Sequence, residues 1–229
     1  MERLEALREI NPHLDIRPVA DPSFAAFGRV LAGVDASREA AIAREKIRMS
    51  PDVVYDASVP ALEEAGVLRT CLERDHYGQM PIQLGWCYGH NLRLDGLEYH
   101  KGNEIDVAVT DCAVMLAQFQ DIHWEERAWI DSGRVRSFFI PAGTVFEFYS
   151  WGLHFAPLHI SEREGFCILV ALPAGTNFSL DARPEPVGEA ALLFARNKWL
   201  IVHPEAQALV KDGACAGIRG ENLKLKPLP

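Results

Sequence analysis

Alternation of apolar and polar positions begins at Gln79, where apolar and aromatic residues become dominant and turn residues recur roughly every ten positions. The runs that result predict strands at Ile82–Tyr88, Leu92–His100, Glu104–Phe119, Val135–Ile140, Thr144–Trp151 and Phe166–Leu172. Gly89-His-Asn, Asp95-Gly, Lys101-Gly-Asn, Pro141-Ala-Gly and Pro173-Ala-Gly punctuate them. Short strands at that spacing predict an antiparallel barrel or sandwich, with a double-sheet jelly roll as the natural member of the class. Before Gln79 the pattern is helical and looped. One helix is predicted within Asp35–Met49 and another after Ser58, with Pro60 in its first turn and Leu62, Val67 and Leu68 on its apolar side. After Pro184 the texture is mixed, with a strand at Trp199–Val202 and a helix near Glu205–Val210. A single domain is expected: a helical extension (1–80), a β-barrel core (81–183) and a C-terminal extension (184–229).

Composition narrows the class. The 229 residues are 48% hydrophobic and 24% charged, which is ordinary for one globular core. A net charge of −9 with no basic block argues against nucleic acid or an anionic membrane as partner. Five scattered cysteines without a C-x-x-C pair read as thiols of a reducing compartment. The opening stretch MERLEALREINPHLD lacks the apolar segment of a signal peptide, and no run is long enough to span a bilayer. The cytoplasm is the expected location.

Candidate chemistry is concentrated in Leu97-Glu-Tyr-His-Lys-Gly-Asn-Glu. Glu98 and His100 lie two apart, so an extended chain presents both on one face. A hairpin at Lys101-Gly102-Asn103 then brings Glu104 to the same point, giving an imidazole and two carboxylates. Such a set suits Mn, Zn, Co, Ni or Fe better than thiophilic ions. The plain alternative is a solvated hairpin. The apolar run that follows speaks for central, buried strands, and buried charges need partners. A second cluster places Glu147 between Phe146 and Phe148, with His154 seven residues later.

The series Glu98-x-His100-x-x-x-Glu104, followed by Pro141-x-Gly143, resembles the two signature motifs of the cupin superfamily. The resemblance implies a cupin barrel holding one divalent metal ion. Glu98 stands where the family has its first histidine, and Phe146 where it has its last. The fourth ligand is therefore either Glu147, which needs a one-residue bulge to turn inward, or His154, which needs the chain to return. His154 is preferred, with Glu147 kept as an acid/base group beside Lys101. Pro81-Ile-Gln-Leu-Gly and His100-Lys-Gly-Asn-Glu are similar to segments of the cupin-type phosphomannose isomerases, which implies a role at the site for Gln83. Gly89-His-Asn, Leu97-Glu-Tyr-His, Leu153-His-Phe-Ala-Pro, Thr176-Asn and Asn197-Lys-Trp-Leu resemble a bacterial cupin-like family that includes isomerases of sulfoquinovose (6-deoxy-6-sulfoglucose).

By these resemblances the chain is expected to be a metal-dependent aldose–ketose isomerase of sugar catabolism, acting as a homodimer on a small sugar. His90 is a candidate for the pocket mouth and Arg136 for an anionic sugar substituent. A non-haem iron oxygenase using His100, Glu104 and His154, and a non-catalytic sugar-binding cupin, are the alternatives. No phosphate-binding glycine loop, dinucleotide fingerprint or serine-hydrolase elbow is present in the sequence.

Overall fold

Glycine and proline cut the chain into short strands that alternate between two sheets. The structure is a computed structural model and describes residues 2–64 and 66–229. Its N-terminal part contains α1 (Glu2–Ile10), β1 (Ile16–Pro18), β2 (Gly28–Val30), α2 (Ser37–Lys46), β3 (Val54–Asp56), α3 (Pro60–Glu63) and α4 (Val67–Cys71). The central part follows with β4 (Ile82–Gly89), β5 (Gly96–Tyr99), β6 (Glu104–Ala108), β7 (Cys112–Gln118), β8 (Ile130–Asp131), β9 (Arg136–Ile140) and β10 (Val145–Phe148). It continues with β11 (Gly152–Leu153), β12 (Leu158–His159) and β13 (Phe166–Pro173). The last part holds β14 (Leu193–Ala195), β15 (Lys198–Val202), α5 (Gln207–Lys211), β16 (Cys215–Ala216) and β17 (Ile218–Arg219).

One sheet runs β2-β10-β6-β13-β4-β3 and is antiparallel throughout. The facing sheet runs β1-β9-β7, with β11 and β12 both on β7. The chain crosses from one sheet to the other between β6 and β7, β9 and β10, and β12 and β13. That repeated crossing is the jelly-roll topology, so the fold is mainly β, a double-sheet jelly-roll barrel with N-terminal helices and a mixed C-terminal extension. A third sheet of β14, β15, β16 and β5 joins the barrel to the C-terminal part.

Alternation decides which side chains enter the barrel. Ala108, Val114, Leu116, Phe138, Phe146, Phe148, Ile168 and Val170, drawn from both sheets, pack together between them. Ile105, Val107, Val145 and Leu169 face the other way and are covered by α2, α3 and α4. Leu4 and Leu7 of α1 cover the outer side of β7 through Ala113 and Met115. Each large side chain so buried contributes about 1.5–3 kcal/mol, which is why the helices belong to the barrel. No helix among the described residues is long and apolar enough to cross a membrane.

Three strand expectations are corrected. Glu104–Phe119 is two strands, β6 and β7, because the chain changes sheets around Thr110 and Asp111. Of Leu92–His100 only Gly96–Tyr99 is a strand. Nor do β5 and β6 form the expected hairpin: β5 pairs with β15, while β6 pairs with β10 and β13. Lys101–Asn103 instead links two different sheets. Gly102 sits there at φ +123, where a Cβ would stand 2.8 Å from Cγ of Pro173, so both conformation and space call for glycine.

Candidate metal centre

Glu104 and Asp106 share the inward face of β6 with Ala108, and Glu98 is on the face of β5 opposite Leu97 and Tyr99. His100 follows β5 directly. His154 lies across from Glu98 in an antiparallel bridge: Glu98 N–H donates to His154 C=O at 2.6 Å, and His154 N–H donates back at 3.0 Å. Ring stacking on Phe148, with centroids 4.6 Å apart, fixes the plane of the imidazole. Four expected ligand residues thus meet at one point, all buried. Ligand atoms of Glu98, His100 and His154 all lie within 4.8 Å of one another. Glu104 Oε2 stands 3.2 Å from His100 Nε2 and 3.3 Å from His154 Nε2.

Tautomer geometry fits a metal. The Nδ1 edge of His100 meets the Asn197 carbonyl at 2.7 Å, and that of His154 meets the Gly152 carbonyl at 3.0 Å. A carbonyl only accepts, so each ring donates from Nδ1 and turns Nε2 inward, the nitrogen a metal would take in place of any proton there. Both Nε2 atoms are buried with no well-formed hydrogen bond and with only carboxylate oxygens beside them, a lining that suits a cation. This group can hold one divalent ion.

Charge is balanced tightly around it. Burial opposes ionisation of Glu98, yet the paired Lys198 ammonium and the His100 ring hold its carboxyl down at about 2. Glu104 is likewise held well below the usual range, burial being outweighed by His154 and His100. Burial also works against a charged His100, but the Glu104 and Glu98 carboxylates raise it to about 9. Asp106 is the exception. Burial, then the Glu104 and Glu98 charges, push it well above the usual carboxyl range, and its Oδ1 has no partner.

These groups open on a cavity of about 160 Å³ lined by Glu98, Glu104, Asp106 and His154, with Tyr55, Cys87, Asn177 and Lys198 beside them. Val53, Phe155, Ile168 and Val170 supply apolar wall. Burial pushes the Cys87 thiol far above its ordinary value, so it acts as wall.

Five other expected site residues lie elsewhere. The register of β10 on β6 runs unbroken from Val145↔Val107 to Phe148↔Glu104. No bulge turns Glu147, so it faces away from the barrel interior and binds the Arg29 guanidinium and the Asn103 amide. Lys101 is exposed, pairs with Glu189 at 2.9 Å and lies over the Trp199 ring. Gln83 is buried, donating to Thr176 C=O and accepting from Gly175 N–H. His90 lies against His159 at a different surface depression, and Arg136 is exposed, bonding the Gly133 and Val135 carbonyls.

Sequence reasoning missed Asp106, Lys198, Tyr55 and Asn177. Asp106 was legible, since it lies two residues from Glu104 in a strand; the others reach the cavity only through pairings between distant segments. Asn197 was missed too. It adopts φ +54 in the β14–β15 turn, where its carbonyl holds His100, its Oδ1 accepts from Lys101 N–H and its Nδ2 donates to Thr176 Oγ1. Asn197→Ala removes both side-chain bonds and strains the turn. Metal titration is expected to show about 10–100-fold weaker affinity with the fold kept; unchanged affinity would mean that the turn does not orient His100.

Among solved structures, the chain is similar to oxalate decarboxylase of Bacillus subtilis, described with Mn(II) centres, at 13% identity over 56% of this chain and 27% of that one, TM-score 0.30. It is also similar to salicylate 1,2-dioxygenase of Pseudoaminobacter salicylatoxidans, at 10% identity over 64% and 39%, TM-score 0.31. The chain therefore spans between about a quarter and two fifths of the length of those two. No curated protein sequence matches it. A family profile described as domain of unknown function (DUF4867) matches residues 16–223. All seventeen strands lie inside that match and only α1 and the chain ends outside it, so the chain belongs to this family.

Proposed function

We propose that the protein is a metal-dependent enzyme that interconverts an aldose and a ketose, with Glu98, His100, Glu104 and His154 holding one divalent ion. The observation that carries the reading is the pair of buried, inward-turned Nε2 atoms gathered with the Glu98 and Glu104 carboxylates beside a cavity. When bound, the ion supplies a Lewis acid for adjacent carbonyl and hydroxyl oxygens. The chain's own residues do the rest. Lys198 Nζ holds Glu98 Oε2, leaving Oε1 toward His100 at 3.8 Å. Apolar walls exclude water. Asp106 carries its unpartnered Oδ1 in the cavity wall, placed to hold and pass the proton that moves between neighbouring carbons. Glu147 and Lys101 are replaced in that role, because neither lines the cavity. A cytoplasmic homodimer is the state in which this enzyme is expected to work.

The test is turnover of an aldose panel, including a 6-sulfonated hexose, by protein reloaded with Mn, Zn, Co, Ni or Fe in deuterated water. Solvent deuterium is expected at C1 or C2 of the product without oxygen or nicotinamide. Asp106→Asn is expected to keep the metal and lose about 10²-fold or more in turnover. Oxygen consumption with iron, and no sugar turned over by any metal, would replace this reading with an oxygenase.

A further inference from the structure

One polar pair in the cavity is used by neither the ligand group nor Asp106. Tyr55 comes from β3 at the sheet edge, opposite Cys87 of β4. Asn177 comes from the turn after β13, at φ +68, a conformation asparagine tolerates better than most residues. Its backbone N–H is tied to the Arg196 carbonyl at 2.9 Å, so the side chain projects from an anchored position. The two side chains meet: Asn177 Nδ2 donates to the Tyr55 hydroxyl oxygen at 2.9 Å. What they leave over is informative. Asn177 Oδ1 is buried with no partner, and among the described residues nothing accepts the Tyr55 hydroxyl proton. Both residues line the cavity. Turning the carboxamide over leaves the same remainder, with an amide N–H to donate and the phenol oxygen to accept.

One free donor beside one free acceptor is what a hydroxyl group satisfies, since it gives one hydrogen bond and takes another. A carboxylate, phosphate or sulfonate oxygen brings acceptors only, and would leave the Asn177 oxygen facing a lone pair. We propose that the Tyr55–Asn177 pair is a specificity-determining subsite that reads one neutral hydroxyl of a polyhydroxylated ligand. The inference rests on the cavity being the substrate site; it does not need the isomerase chemistry.

Xylitol and acetate, an anion without a hydroxyl, serve as probes, with binding followed by calorimetry and ligand-observed NMR on the manganese-loaded and metal-free protein. Tyr55→Phe, which removes a single oxygen, is expected to weaken xylitol at least tenfold and to leave acetate affinity and metal content within twofold of wild type. Asn177→Gly, which keeps the positive φ, is expected to do the same; should it not fold, Tyr55→Phe decides alone. Xylitol affinity equal in wild type and Tyr55→Phe, or no xylitol binding by wild type, would overturn the subsite while leaving the metal reading standing. Protein that takes none of Mn, Zn, Co, Ni or Fe would overturn the metal reading. The subsite would still be supported if metal-free wild type bound xylitol and Tyr55→Phe did not.

Discussion

His100→Ala is expected to lower metal affinity by about a hundredfold or more while the protein remains folded. The substitution removes one of two nitrogen ligands, a larger loss than the 10–100-fold typical of groups that only orient a ligand. It leaves Glu98 and Glu104 buried, but Lys198 and His154 still face them, so the barrel is expected to survive. Metal content after dialysis and the thermal midpoint of the same sample check both halves. Full metal occupancy in the variant would remove His100 from the ligand set. Acidity should report the same group. In the metal-free protein His100 titrates at about 9 against an ordinary 6.5, so its proton stabilises the fold fully below pH 6.5, and this contribution is lost as pH rises through 9. Glu98, held down at about 2, works in the opposite sense: its contribution is present above the ordinary 4.5 and lost as pH falls toward 2. A bound ion displaces the proton on His100, so metal affinity should climb with pH up to about 9.

Glu147→Ala is expected to cost about 2–3 kcal/mol of stability and to leave metal content unchanged. Breaking a buried ion pair by removing one partner costs about 3–5 kcal/mol. Here Arg29 is 55% exposed and can rehydrate, which lowers the figure. The loss also frees the Asn103 side-chain amide; Asn103 Oδ1 accepts from Ser150 N–H and its backbone carbonyl from the Tyr77 hydroxyl, bonds that hold the turn delivering Glu104. For a chain of this size the thermal midpoint should fall by roughly 5–10 °C. Glu147→Gln should lose less, since it keeps the shape and one acceptor. Loss of metal or turnover from Glu147→Gln at unchanged stability would return this residue to the site.

What the sequence made legible follows from distance along the chain. Glu98, His100 and Glu104 lie within one short segment, and period-two alternation is enough to put them together even though the expected hairpin pairing of β5 with β6 is absent. Alternation also settles Glu147: without a bulge it must face away from Phe146 and Phe148, as it does. His154 needed long-range information. Its approach to Glu98 depends on the bridge between segments more than fifty residues apart, and local patterning carries no such register. Lys198, Tyr55 and Asn177 were hidden for the same reason. Lys101 was read as a site residue from its place next to His100 and Arg136 from its charge, and the fold leaves both exposed.

X-ray absorption of the cobalt-loaded protein tests the metal centre most directly. Two imidazole nitrogens and carboxylate oxygens at about 2.0–2.2 Å are expected, with one ion per chain and the outer scattering of one ring lost in His154→Ala. A spectrum of oxygen ligands alone, unchanged by that substitution, would contradict the account.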